Sequence, residues 1–410
     1  MKTINWACAV AASAVLAAGL VTEAGAQSTA VCTLTVTGQN NSAVDVGAVS
    51  AAVNSPVASG DVTVCLAGVF DFGVAAFPTV TSVSISPNPA VTSLLIIGVN
   101  DPVTGRLATI RRGVQALTLA PSTLLPRLSI ENLRFDEPSF TAISILRANE
   151  SVRISGVRVT GVQSYLFPPF NGRFRDGISV SSAIAAIGGE IVIVDNVLDG
   201  GSYTATDTSL LVNAGIALTG AAPGAVNQPF TARVTIADNR LLNWSGSAVL
   251  ATGIHGATIE RNKIDPGAFA NQVAGCAQPN GVGAANGISL ASVSDSLVRD
   301  NVVSLVPALT GTGESPQCTA GILLVGAVAG PADGNIFHRN RIRGTGSYAI
   351  VVGSASGSTE IDNVFALDRL GNFVPQTATL FLGAGATDNA FIGEFATIEG
   401  NAAGNLILGR

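Results

Sequence analysis

Arg173, Arg175 and Asp176 stand together in the run Asn171-Gly-Arg-Phe-Arg-Asp176. A carboxyl group beside two guanidiniums supplies the parts for proton abstraction next to a substrate carboxylate: a proton-moving group and fixed positive charge. That is lyase-type chemistry. The plainer account makes the run a loop pinned to a strand end at Gly177. The chain has 2 histidines, His255 and His338. His338 falls in a charged stripe and His255 in a loop, so both read as structural, with a general base as the lesser alternative.

The aromatics form a second candidate set. Tyr165, Tyr203, Trp244 and Tyr348 fall in one class of connecting loop, or at its edge, in a chain that is 5% aromatic. Rings along a groove could stack on sugar faces, with Arg173, Arg175 and Asp207 bonding the hydroxyls. They could equally pack the loops onto the body of the protein. No cofactor is indicated. Calcium could be held near Asp195, Asp199 and Asp207, which also fit loop and stripe roles.

Composition narrows the class. Only 12% of the 410 residues are charged, 47% are hydrophobic and 46 are Gly. Such apolar content excludes a disordered chain. A net charge of −6 has the wrong sign for bulk attraction to nucleic acid or anionic lipid. Residues 1–26 read as a signal peptide: Lys2, the apolar run Ala9 to Val21, then Ala24-Gly25-Ala26 as a cleavage site. A secreted, extracellular or periplasmic protein follows, with no membrane span. Behind that segment stand Cys32, Cys65, Cys276 and Cys318, an even number with three possible pairings.

These residues must be positioned by a repeat. The pattern apolar-x-x-Asn-x-apolar recurs with Asn at 196, 239, 262, 301 and 340, and in degenerate form at Asn363. Earlier copies carry Leu133 and Val157 at that position. A short strand precedes most copies: Gly177-Ile-Ser-Val, Gly215-Ile-Ala-Leu, Ser247-Ala-Val-Leu, Gly287-Ile-Ser-Leu, Gly321-Ile-Leu-Leu and Tyr348-Ala-Ile-Val. Aligned on their first residues, these strands expose Ser179, Ala217, Val249, Ser289, Leu323 and Ile350. Three short strands per coil, stacked in parallel, would bury one continuous apolar column. Each Asn would take the left-handed backbone of a turn and bond to the Asn of the next coil. The preceding residues Asp195, Asp238, Arg261, Asp300, Arg339 and Asp362 would form a column that alternates in sign from Asp238 onward. Glu260, Arg299 and His338 would form another.

With this asparagine ladder, and with helical spacing at Val44–Val53 followed by the strand around Ser59–Gly68, the chain resembles right-handed parallel β-helix proteins of the pectate-lyase-like class. The resemblance spans about residues 40–405. It implies an all-β solenoid with a short N-terminal cap helix: a cap and first coil over 27–75, then repeats over 76–410. It also implies a cleft on the first strand of each coil and an extended polysaccharide or cell-surface glycan as partner. The family's Asn-Thr-Asp and Gly-His-Gly signatures are absent, so a lyase is favoured over a glycoside hydrolase. The alternative is a non-catalytic surface or envelope protein that contacts a partner through the apolar face around Leu323 and Ile350. Stacked coils would place Cys32 with Cys65 beside the cap, and Cys276 with Cys318 in consecutive loops.

Overall fold

The computed structural model describes residues 31–409 except 75–80, 102–103, 120–124, 147–150, 164, 168–171, 182–188, 202–209, 221–232, 245, 266–285, 306–319, 327–331, 354–359, 369, 371, 376–377, 384, 394 and 401. For 165–167, 172–175, 210–213, 360–361, 367–368 and 409 it describes the backbone alone. The expected signal segment, Tyr203, Asp207, Cys276 and Cys318 therefore lie outside the described residues.

The chain is a right-handed parallel β-helix. A 12-stranded sheet carries the first strand of each coil and a 22-stranded sheet carries the other two. The strand pairings are parallel, apart from Tyr165–Phe167 against Gly172–Ser181. Alternation does the folding work: inward residues stack coil upon coil while their neighbours face out. Ile154, Ile193, Ile236, Ile259, Val298, Phe337, Phe365 and Phe391 form one such column, all fully buried. Each contributes about 1.5–3 kcal/mol over exposure. The phenyl rings stack, Phe337 on Phe365 at 4.2 Å and Phe365 on Phe391 at 4.9 Å.

The N-terminal end is closed by the helix Asp45–Val53. Buried Asp45 anchors it, accepting the main-chain N–H of Gln39, Asn41 and Asp71 at 2.7–2.9 Å. The disulfide Cys32–Cys65 lies at the same end, its α-carbons 5.6 Å apart.

Two details correct the sequence reading. First, there are two asparagine ladders. Asn196, Asn239, Asn262, Asn301 and Asn340 form one, each amide donating to the next Oδ1 at 2.9–3.0 Å. Asn335, Asn363, Asn389 and Asn405 form another at a different corner, at 2.8–3.0 Å. Asn363 belongs to the second because Val364 pairs with Ile336. Asp362 therefore leaves the charge column that ends at Arg339. Second, the left-handed residue is the one before the ladder Asn: Asp195, Asp238, Arg261, Asp300, Arg339 and Asp362 all have φ between 53° and 58°.

The charge stripes are structural, as their signs suggest. Arg261 pairs with Asp238 at 2.8 Å and with Glu260, Arg299 with Glu260 at 2.6 Å, and Arg339 with Asp300 at 2.9 Å. The exposed pairs Arg261–Asp238 and Arg339–Asp300 contribute roughly 0–1 kcal/mol each, while Glu260 is buried between Arg261 and Arg299.

Candidate functional site

The first-strand sheet carries a mixed strip of serine and apolar residues, with Ser179, Leu250 and Val351 half-buried and Ser144, Ala217, Ser289 and Leu323 buried. In register across its strands stand Ser144, Ser179, Ala217, Leu250, Ser289, Leu323 and Val351, the positions that alternate with buried Ile143, Ile178, Ile216, Val249, Ile288, Ile322 and Ile350. Val249 and Ile350 thus face the core, and Leu250 and Val351 take the places expected for them. The slip arises because Ala248 and Ala349 occupy the small-residue position held elsewhere by Gly177, Gly215, Gly287 and Gly321. That position must be small: a Cβ on Gly177 would lie 2.6 Å from the carbonyl oxygen of Gly215. The apolar contact face proposed around Leu323 and Ile350 is closed accordingly, since both are buried.

At the head of the strip a second register row runs through Thr141, Asp176, Ala214, Ser247, Asn286, Ala320 and Tyr348. Ser247 Oγ and Asn286 Nδ2 both bond Ser289 Oγ, at 2.7 and 3.1 Å. Asp176 is 5% exposed. Its N–H donates to the Phe140 carbonyl at 2.7 Å, and its Oδ1 accepts the Ala214 N–H at 3.0 Å. Burial pushes its carboxyl up to about 7, against the lowering effect of the Ala214 N–H. Near neutral pH it can hold or release a proton, which an ordinary aspartate cannot. Asn286 makes the same bond to the Ala320 N–H at 3.0 Å. The row thus has a corner-stapling role that an amide fulfils, and Asp176 alone adds a titrating group to it.

The other expected site residues divide. Arg173 and Arg175 lie on the strand of Asp176, their backbones in register with Leu210 and Asn213. Tyr165 lies opposite Phe174. The side chains of these three fall outside the description. Trp244 does not line a groove. It is 0% exposed, its indole N–H donates to the Leu198 carbonyl at 3.1 Å, and its ring occupies space left by Gly177 and Gly215. Tyr348 is 2% exposed, its hydroxyl donating to Glu399 at 2.6 Å beside Phe381. Both are packing residues: the Trp244 ring fills space beside glycine backbone and the Tyr348 ring is buried beside Phe381, each with its polar atom bonded.

His255 is less isolated than its sequence context suggests. Its Nδ1 lies 3.0 Å from Ser294 Oγ and 3.2 Å from Asp295 Oδ2 at an exposed corner. His338 sits in register with Arg299. Of the residues considered for calcium, Asp199 accepts from the Gly201 N–H and the Asn243 amide at 2.8 and 2.7 Å, and Asp195 is exposed on its turn. Among the described residues no group of three or more His, Cys, Asp or Glu is placed to hold a metal ion. No described helix is long and apolar enough to cross a membrane.

No family model and no curated protein sequence matches the chain. Among solved structures it is similar to a GH136 lacto-N-biosidase from Eubacterium ramulus, with a TM-score of 0.52 and 13% identity over 92% of this chain and 68% of that one. The Dettilon tailspike protein gives 0.43 and 12% identity, covering 90% and 70%. The A-module of an Azotobacter vinelandii mannuronan C-5 epimerase gives 0.35 and 13%, covering 88% and 92%. The likeness to the lacto-N-biosidase is one of architecture, the parallel β-helix.

Proposed function

We propose that the protein binds or acts on an extended glycan along the outward strip of the first-strand sheet, with Asp176 as the proton-transferring group. The observation that carries this reading is the burial of Asp176, which brings its carboxyl to about 7 in a register row that also holds Thr141, Ser247 and Asn286. The half-buried Ser179 hydroxyl on the same strand suits the hydroxyls of a sugar, and a fold shared with a lacto-N-biosidase is in keeping with a glycan ligand. As an enzyme the protein is read as a lyase, with Arg173 and Arg175 supplying positive charge. Hydrolysis calls for a second carboxylate roughly 5–10 Å away. Among the described residues the other carboxylate on this face is Glu399, seven strands along, at about 34 Å.

The test is a screen of acidic and neutral polysaccharides for unsaturated uronate and new reducing ends, run with wild type and Asp176→Asn. The asparagine can keep the bond to the Ala214 N–H, as Asn286 does for Ala320, so it removes the proton and leaves the corner. Product from wild type that the variant fails to make supports the reading. Equal product from both removes Asp176 from the chemistry, and no binding or product with any polymer removes the glycan. A non-catalytic surface role is the second reading, favoured by the exposed Ile336, Ile392, Leu406 and Leu408 on the last coils. Export with removal of 1–26 belongs to the same proposal. The Cys32–Cys65 disulfide supports it, and N-terminal sequencing of the exported protein checks it.

A further inference from the structure

The third strand of each coil carries a column of cations on its outward face. Arg134, Arg158, Val197, Arg240, Lys263, Val302 and Arg341 stand in one register across seven consecutive coils. The five cations are exposed. At about 4.8 Å per coil the line is about 29 Å long. Arg158 lies directly beside Arg134, and Lys263 beside Arg240. Like charges directly opposite one another on neighbouring strands destabilise a sheet. The chain has a remedy for this and uses it in the adjacent columns, where Arg261 faces Asp238 and Arg339 faces Asp300. In this column Arg240 and Lys263 face each other and Val197 or Val302, and Arg341 faces Val302, with no acid opposite.

Of the nearby acids, Asp136 holds the column's own Arg134 at 2.8 Å, Asp199 accepts from Gly201 and Asn243, Asp238 and Asp300 are held by the turn arginines, and Asp265 is exposed two residues from Lys263. Arg240, Lys263 and Arg341 have no ion pair among the described residues. Arg343, bonded to Ser304 at 2.9 Å, adds a further exposed cation beside Arg341.

We infer that this column is a docking surface for a linear acidic polysaccharide, distinct from the Asp176 strip on the other sheet. A chain with one carboxylate per sugar carries its charges at a spacing close to the coil repeat, so each cation meets an anion without bending the polymer. The flanking row holds Asp136, Thr160, Asp199, Leu242, Asp265, Ser304 and Arg343, of which Thr160 and Ser304 can bond sugar hydroxyls. Single-stranded nucleic acid is disfavoured because no described outward residue of the column or its flank is aromatic, and base stacking needs such rings. The net charge of −6 also confines attraction for a polyanion to this local line.

The test measures calorimetric binding of polygalacturonate to the full chain, with neutral dextran and single-stranded DNA in parallel. The proteins are wild type, the triple variant Arg240→Glu/Lys263→Glu/Arg341→Glu, and the charge-keeping pair Arg240→Lys/Arg341→Lys. Polygalacturonate is expected to bind wild type and the lysine variant alike. Binding should weaken by about tenfold or more between about 50 and 200 mM salt, as release of counterions requires. The glutamate variant should lose it while keeping the wild-type thermal midpoint, and dextran should not bind. Undiminished binding by the glutamate variant overturns the docking surface. Binding of DNA as tight as that of polygalacturonate overturns the choice of polysaccharide.

Discussion

At the scale of single residues, Asp176 and Asn262 show how burial gives a polar group its role. The Asp176 carboxyl stands raised from 3.8 to about 7 because it is buried with one N–H donor. The folded state therefore binds its proton more tightly than the unfolded chain does. The resulting stability is fully present below pH 4 and is lost as pH rises through about 7. At about 1.4 kcal/mol per unit the loss is at most about 4 kcal/mol. Asp176→Asn should match wild type in urea midpoint near pH 4 and exceed it near pH 8. A difference that stays flat with pH would show that the group does not titrate in this range. Asn262 is fully buried and makes four bonds: it accepts from the Asn239 N–H and amide, and donates to Ile236 and Asn301. Asn262→Leu should cost about 3 kcal/mol or more, at about 1–3 for each unpaired group. Lys263→Ala, on the exposed face, should stay within about 0.5 kcal/mol. Equal denaturation midpoints would mean that the ladder contributes nothing net.

At the scale of elements, the turn and the strand start are where the sequence was and was not legible. The ladder could be read because a buried amide needs partners above and below it, so Asn must recur at one place in every coil. The handover between corners could not, because Asn335 and Asn340 lie in the same coil and pattern spacing alone does not say which one Asn363 continues. The first strands aligned well where Gly marks the tight approach of one coil to the next. They slipped by one residue where Ala248 and Ala349 fill that position. Trp244 was misplaced for a related reason: the room for its ring comes from Gly177 and Gly215 on other coils, far away in sequence. The turn itself yields a prediction. Asp195 is exposed with φ 58°, a conformation that Gly adopts without strain and a β-branched residue resists. Asp195→Gly should leave the thermal midpoint unchanged or raised. Asp195→Val should cost about 1–2 kcal/mol. If valine is tolerated as well as glycine, the left-handed turn is not what fixes that corner.

At the scale of the whole molecule, a solenoid is held by contacts between successive coils, so its ends decide where it opens. The two ends are unlike. The N-terminal end has the helix Asp45–Val53, the Asp45 anchor and the Cys32–Cys65 bond. Closing 33 residues in a loop restricts the unfolded chain by about 3–4 kcal/mol in the chain-entropy account. The C-terminal coil has no comparable cover among the described residues. Leu406 and Leu408 are 55% and 49% exposed, and the last ladder amide, Asn405, turns back to the Ala386 and Ala403 carbonyls instead of meeting another Asn. The last described coil is secured by one neighbour where an inner coil has two, so opening should begin there and travel toward the cap. Native-state hydrogen exchange should therefore find amides of Ala390–Gly393 and Leu406–Gly409 exchanging well before those of Arg127–Glu131 and Ser151–Ser155, although all four are parallel strands. Reduction of Cys32–Cys65 should then shrink the gradient by loosening the protected end. Uniform protection along the chain would mean that the helix unfolds as a single unit and that the cap has no special hold on it.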